Sequence, residues 1–195
     1  MQSTLALTLT RRVWPRLGLF GDGLLVISGS LLVAALAQVS IPLPFTPVPI
    51  TGQTFAVLLM GAALGSRRGA ASLGLYVIEG ALGLPVFAGG ASGIARLFGP
   101  TGGYLIGFVA AACVVGWLAE RGLDRRWRTA LPVFLAGEIV IYLIGVPWLA
   151  VFIGADKALA GGLWLFLPGD AVKLLLATVA LPSTWALVKG WEAQE

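Results

Sequence analysis

Charge placement constrains this chain more than anything else in it. From about Gly23 to Val188 it passes through six apolar stretches, and nearly all charge falls in the gaps between them. They run from about Gly23 to Ile41, Val48 to Gly65, Gly69 to Leu84, Thr101 to Ala119, Ala130 to Phe152 and Asp170 to Val188. Each is near the length of about 20 residues that an α-helix needs to cross a bilayer. Only 11% of the residues are charged, against about 25% in a soluble domain. The expected fold is an all-α membrane protein with six transmembrane helices. The expected organisation is a cytoplasmic N-terminal segment, residues 1–21, followed by a single six-helix membrane domain over residues 22–190. The basic lead-in, the first apolar run and Ala35-Leu36-Ala37 imitate a cleavable signal. The chain beyond Ala37 is equally apolar, so the run reads as the first span.

Orientation follows from counting cations. With the N-terminus inside, Arg11, Arg12, Arg16, Arg67, Arg68, Arg121, Arg125, Arg126, Arg128 and Lys189 fall on the inner side. Only Arg96 and Lys157 fall in outer loops, and Lys173 stands at the outer end of the sixth span. That asymmetry satisfies the positive-inside rule and puts both termini in the cytoplasm. Trp117, Trp185 and Trp191 fall at inner ends and Trp148 and Trp164 at outer ends, as aromatic belts do, while Trp14 and Trp127 lie in inner basic segments. The net charge of +4 answers to topology and does not suggest nucleic acid.

Several chemistries are excluded. There is no histidine, which removes Ser-His and Cys-His nucleophiles and His-ligated zinc or haem. The single Cys113 lies in an apolar run, so neither an intrachain disulfide nor a cysteine metal cluster forms. None of the three lysines follows a glycine, so no Walker A motif is present and any ATP is hydrolysed by another chain. No metal, cofactor or catalytic residue is expected.

Pro168-Gly169-Asp170-Ala171-Val172-Lys173 carries both signs of charge at the mouth of the last span. Asp170 and Lys173, three apart, share one side of a helix that Pro168 and Gly169 begin. An ionisable residue in a span costs about 2.5–3.5 kcal/mol on insertion scales, so the pair requires a reason. Residues 41–49 hold four prolines and no charge. They cannot be helical and favour extended, polyproline-like backbone, suited to a lid or a rigid connector. Residues 85–100 form a glycine-rich loop whose one charge, Arg96, is a carboxylate receptor or an interface anchor. Gly103, Gly107 and Ala111 recur every fourth residue, making a smooth face for helix packing.

The topology brings these stretches together. Gln53, Glu79, Arg96, Asp170 and Lys173 all come out on the outer side, among Phe45, Phe87, Tyr104 and Trp164. Tyr76 shares a face with Glu79, and Tyr142 follows Glu138 by one turn. Mostly apolar walls with a few placed polar groups are the makeup of a small-molecule pocket. The candidate substrate-binding residues are Gln53, Tyr76, Glu79, Phe87, Arg96, Tyr104, Tyr142, Trp164, Asp170 and Lys173.

Five stretches resemble the BioY family, the biotin-binding S-components of energy-coupling-factor transporters. They are Ala37-Gln38-Val39-Ser40-Ile41-Pro42-Leu43-Pro44, Val48-Pro49-Ile50-Thr51-Gly52-Gln53-Thr54, Gly83-Leu84-Pro85-Val86-Phe87-Ala88-Gly89-Gly90, Gly99-Pro100-Thr101-Gly102-Gly103-Tyr104-Leu105 and the Pro168–Lys173 stretch. The resemblance covers residues 24–189. It implies a six-helix protein of the bacterial cytoplasmic membrane that binds biotin at the outer face and hands it inward with a transmembrane coupling subunit and two ATPase subunits. Asp170, Lys173 and Gln53 then suit the ureido head. Arg96 and Lys173 compete for the carboxylate, with Arg96 favoured. The coupling partner of S-components docks on an Ala-xxx-Ala groove of the first helix, here answered by Ser30 and Ala34, with Ala37 beyond. A solitary biotin transporter or an S-component for another vitamin is the alternative. An intramembrane enzyme using Glu138, Glu79 or Asp170 is disfavoured, because these carboxylates fall at different depths.

Overall fold

A computed structural model describes residues 4–13 and 18–192. Trp14 and Arg16 lie outside the described residues, as do the side chains of Arg11, Arg12, Lys189 and Trp191. The chain is mainly helical. In order it forms α1 (Leu5–Val13), α2 (Gly18–Gln38), β1 (Ser40–Leu43), β2 (Thr46–Thr51), α3 (Gln53–Leu64), α4 (Ser66–Ala81), α5 (Ala95–Phe98), α6 (Gly102–Ala119), α7 (Trp127–Ile153), α8 (Ala155–Leu159), a π-helical turn (Ala160–Trp164) and α9 (Leu167–Glu192).

Among the described residues, four stretches are helical, long and apolar enough to cross a membrane: Gly18–Gln38, Gly102–Ala119, Trp127–Ile153 and Ala155–Val188. The second expected span is shorter than the sequence suggests, and the third keeps its length but begins three residues earlier. α3 has 12 residues and α4 has 16, about 18 and 24 Å at 1.5 Å per residue, under the roughly 30 Å of hydrocarbon. The cause is local: residues 46–51, read from sequence partly as the start of a span, are a strand.

That strand corrects the reading of the proline segment. Its backbone is extended, as four prolines require, but it is a paired antiparallel hairpin, with Ser40 opposite Thr51, Ile41 opposite Ile50 and Leu43 opposite Thr46. A two-stranded sheet is all edge, so prolines can sit where no ladder donor is needed. The register breaks between Ile41 and Leu43, at Pro42. The N-terminal lead-in is likewise more than a tail: α1 is a helix, and Leu5 is buried with Leu58, Val115 and Phe134.

α6 is the central helix, packed against α3, α4 and α7. Its small residues allow this. A Cβ on Gly107 would stand 3.2 Å from the Ile141 backbone of α7, so the two helices meet main chain to main chain. The core divides in two. One cluster joins Val57, Leu73, Tyr76, Phe108, Ile141 and Leu149. The other joins Leu58, Val115, Phe134, Leu181 and Trp185 nearer the α9 C-terminus. The outward faces are oily: Leu24, Ile27 and Leu31 on α2, Leu143 and Val151 on α7, and Leu175, Leu176 and Val179 on α9 are exposed. In water such a surface would aggregate, whereas in lipid it is the expected solvent-facing side.

Candidate ligand-binding site

A cavity of about 460 Å³ lies over the first core cluster, lined by the hairpin, the loop around α5, and the facing ends of α3, α6, α7 and α9. Its walls are chiefly apolar: Leu43, Val48, Phe87, Leu105, Phe108, Ile141 and Phe166. Beyond the hydroxyls of Ser40, Thr46 and Thr51 on the hairpin, its polar groups come chiefly from five helices. Gln53 and Thr54 stand in the first turn of α3, Arg96 on α5, Tyr104 on α6, Tyr142 on α7, and Asp170 and Lys173 on α9.

Asp170 is the hub. Its carboxylate is almost wholly buried, in the first turn of α9, where the helix dipole favours negative charge. Lys173 Nζ donates to Oδ1 at 2.9 Å, and Thr54 Oγ1 donates to the same oxygen at 3.3 Å. The Tyr142 hydroxyl donates to Oδ2. Lys173 Nζ also donates to Thr54 Oγ1, at 3.0 Å. Three helices are thus tied through one carboxylate. Removing one partner of a buried ion pair typically costs about 3–5 kcal/mol, because the other charge is stranded.

Around this hub the walls are held in place by hydrogen bonds. Gln53 Nε2 donates to the Tyr76 hydroxyl at 2.6 Å, and Thr51 Oγ1 donates to Gln53 Oε1 at 3.0 Å. Tyr76 supports Phe87 edge-on, ring centroids 5.5 Å apart. Thr46 Oγ1 donates to the Gly161 carbonyl at 2.9 Å and the Tyr104 hydroxyl to the Gly162 carbonyl at 2.7 Å. The hairpin and α6 are therefore both tied to the π-helical turn, whose irregular backbone leaves those carbonyls free to accept.

The structure brings Gln53, Phe87, Arg96, Tyr104, Tyr142, Asp170 and Lys173 to the cavity. Tyr76 lies just beneath, behind Gln53. Two of the sequence candidates are elsewhere. Glu79 accepts a hydrogen bond from Ser30 Oγ, which holds it against α2. Trp164 is 63% exposed on the outside of the π-helical turn. Thr54, absent from the sequence-derived site, bridges the ion pair. Its position beside Gln53 in the first turn of α3 was the available signal. Ser30, Ala34 and Ala37 are buried against the rest of the bundle and offer no outer groove. Small residues suit close packing from either side, and here the close neighbour is α4, with Ser72 against Gly29.

Apolar helices closed around a mostly apolar cavity with a buried ion pair at its floor define a membrane-embedded small-molecule-binding protein. The chain belongs to the BioY family, whose family model matches residues 7–190. A protein of Pyrococcus horikoshii described as a probable biotin transporter BioY is 46% identical over 143 residues, covering 73% of this chain and 83% of that protein. The biotin transporter BioY of Thermotoga maritima is 42% identical over 149 residues, covering 76% and 86%. Among solved structures, the S-component for biotin from an ECF-type ABC transporter superposes with a TM-score of 0.76 at 29% identity, covering 83% of this chain and 89% of that one.

Proposed function

We propose that this chain takes up biotin as the substrate-binding S-component of an energy-coupling-factor transporter. The observation that carries the reading is the Asp170–Lys173–Thr54–Tyr142 cluster in the wall of a mostly apolar cavity. A ureido ring presents two N–H donors and one carbonyl acceptor on a flat face, and Asp170 and Lys173 present an acceptor and a donor side by side. The thioether ring and alkyl chain match Phe87, Phe108, Ile141 and Phe166. The ligand carboxylate reaches Arg96, an exposed guanidinium with no ion pair among the described residues. As a member of a transporter family the chain is not an enzyme.

The same reading has six crossings in the cytoplasmic membrane, both termini inside, and residues 22–190 as one domain. It is supported by the basic residues: Arg68, Arg121, Arg125 and Arg128 lie at the end away from the cavity, and Arg96 at the cavity end. α3 and α4 complete their crossings with the uncharged segments that flank them, the hairpin before α3 and residues 82–87 after α4. Partners are a transmembrane coupling subunit and two ATPase subunits. With Ser30, Ala34 and Ala37 turned inward, the coupling subunit would meet the exposed face of α2, around Ile27, Leu31 and Ala35.

Equilibrium binding of labelled biotin to the purified chain, beside Asp170→Asn and Lys173→Met, tests the proposal. Tight binding that both substitutions abolish is expected. Intact binding in both variants would move the site elsewhere, and no binding by the unaltered chain would overturn the ligand.

A further inference from the structure

Glu138 is the buried carboxylate to which the site gives no task. It lies midway along α7, is 3% exposed, and neither of its oxygens has a hydrogen-bond partner among the described residues. An acceptor buried without a donor is costly, so a native chain that keeps one needs it in some other state.

Its surroundings limit what that donor can be. Glu138 lines a second cavity of about 610 Å³ between α7 and α9. The other lining groups are aliphatic side chains and a proline, with two exceptions: Tyr142 and Asp170. Both also line the ligand cavity, so they form the wall the two cavities share. Tyr142 follows Glu138 by one turn on the same face, and helical side chains lean toward the N-terminus, which carries the Tyr142 ring toward Glu138. Glu138 also interacts electrostatically with Asp170, Lys173 and Tyr142. The Tyr142 hydroxyl has one hydrogen, and it is now spent on Asp170 Oδ2.

We propose that Glu138 is a positioning residue for ligand binding: when a ligand N–H engages Asp170, the Tyr142 hydroxyl turns from Asp170 to Glu138. The inference rests on the reading of Asp170 as the acceptor for a ureido head. With no ligand N–H on Asp170, Tyr142 serves Asp170 and Glu138 has no hydrogen-bond partner among the described residues. In the occupied site the ligand serves Asp170 and Tyr142 serves Glu138. No donor is stranded by binding, and an unpaired acceptor gains a partner. A ligand without an N–H at that point leaves Tyr142 on Asp170 and gains nothing from the exchange, so the device favours heads that donate.

The test is a double-mutant cycle on biotin affinity. Glu138→Leu is expected to weaken binding roughly tenfold, the upper scale of one net hydrogen bond. Glu138→Gln keeps an acceptor and is expected to stay within about threefold of the unaltered chain. In a Tyr142→Phe background, Glu138→Leu is expected to change nothing further. A full tenfold loss in that background, or no loss in either, overturns the proposal. Should Glu138→Leu fail to fold, ligand-induced difference infrared spectra of the unaltered chain and Glu138→Gln decide instead. A carboxyl band that shifts with biotin and is missing from Glu138→Gln supports the exchange, and identical spectra overturn it. An unaltered chain that binds no biotin sinks the functional reading and the inference with it. Biotin bound at unaltered affinity by Glu138→Leu sinks the inference alone.

Discussion

Asp170 and Asp124 are both buried aspartates of this bundle, and α9 joins them. Asp170 is in its first turn, and Trp185, fifteen residues on, donates its indole N–H to Asp124 Oδ2 at 2.7 Å. That separation is about 22 Å along the helix. At the Asp170 end, irregular backbone and prolines hold the chain apart, leaving a cavity lined by polar groups from five helices and the hairpin. At the Asp124 end the same kinds of side chain close the structure. Arg125 lies over the Trp185 ring at 4.3 Å, Glu120 Oε1 accepts from the Ser66 backbone N–H at 2.9 Å, and Arg68 pairs with Asp22 at 2.7 Å. A buried carboxylate is thus not by itself a site. What separates the two is the space beside them, and whether their partners can be exchanged for a ligand.

The comparison breaks most visibly at its hub. Asp170→Ala is expected to reduce biotin affinity roughly 100-fold, since it removes the charged acceptor for the ligand N–H. Equilibrium binding measures it, and an affinity within tenfold of the unaltered chain would contradict the assignment. Trp185→Ala is the counterpart at the other end. Deleting a buried indole is expected to destabilise the fold by about 3–5 kcal/mol, read by thermal unfolding in detergent, while the fraction that remains folded binds biotin as before. A change in affinity without a change in stability would make the two ends one functional unit.

Smaller effects sharpen the contrast. Arg96→Gln is expected to weaken biotin binding roughly fivefold at low salt, with the difference fading as salt rises, because the guanidinium is exposed and screened. Unfolding temperature is the control and should not move. The smallest effect concerns pH. Burial pushes the Asp124 carboxyl above its ordinary value, against the opposing pull of the Trp185 hydrogen bond, its own backbone and Arg125. The folded chain therefore holds that proton at a pH where the unfolded chain has released it. The contribution to stability is complete below the ordinary carboxylate range and is lost as pH rises through the raised value. Asp124→Asn is expected to flatten this part of the pH profile, and an unchanged profile would assign the dependence to another group.

Much of the site was legible before any coordinates, for a physical reason. Membrane spans exclude charge, so Asp170 and Lys173 stood out, and the cation count placed them beside Arg96 and Gln53. Seven of the candidates line the cavity. Glu79 was placed by depth and by its shared face with Tyr76, and Trp164 by depth. Depth gives a level in the membrane but not the side of a helix, and Glu79 turns to Ser30 on α2 instead. The same gap explains Ser30, Ala34 and Ala37: a run of small residues marks a close contact without saying whether it is inward or outward. The hairpin was missed because prolines report extended backbone at one residue at a time, whereas pairing depends on what lies across from them.

Sequence alone determined the medium, the oily helices, the extended proline segment and the identity of the ion pair. Each follows from the solvation or backbone preference of residues near one another in the chain. Tertiary structure decided the rest: which faces turn inward, that residues 40–51 pair, that Thr54 bridges Asp170 and Lys173 across 116 and 119 positions of sequence, and that Glu138 and Tyr142 line one cavity. These depend on distances between helices. Those distances are set by the packing of small residues such as Gly107 against facing main chain, and no local preference encodes them.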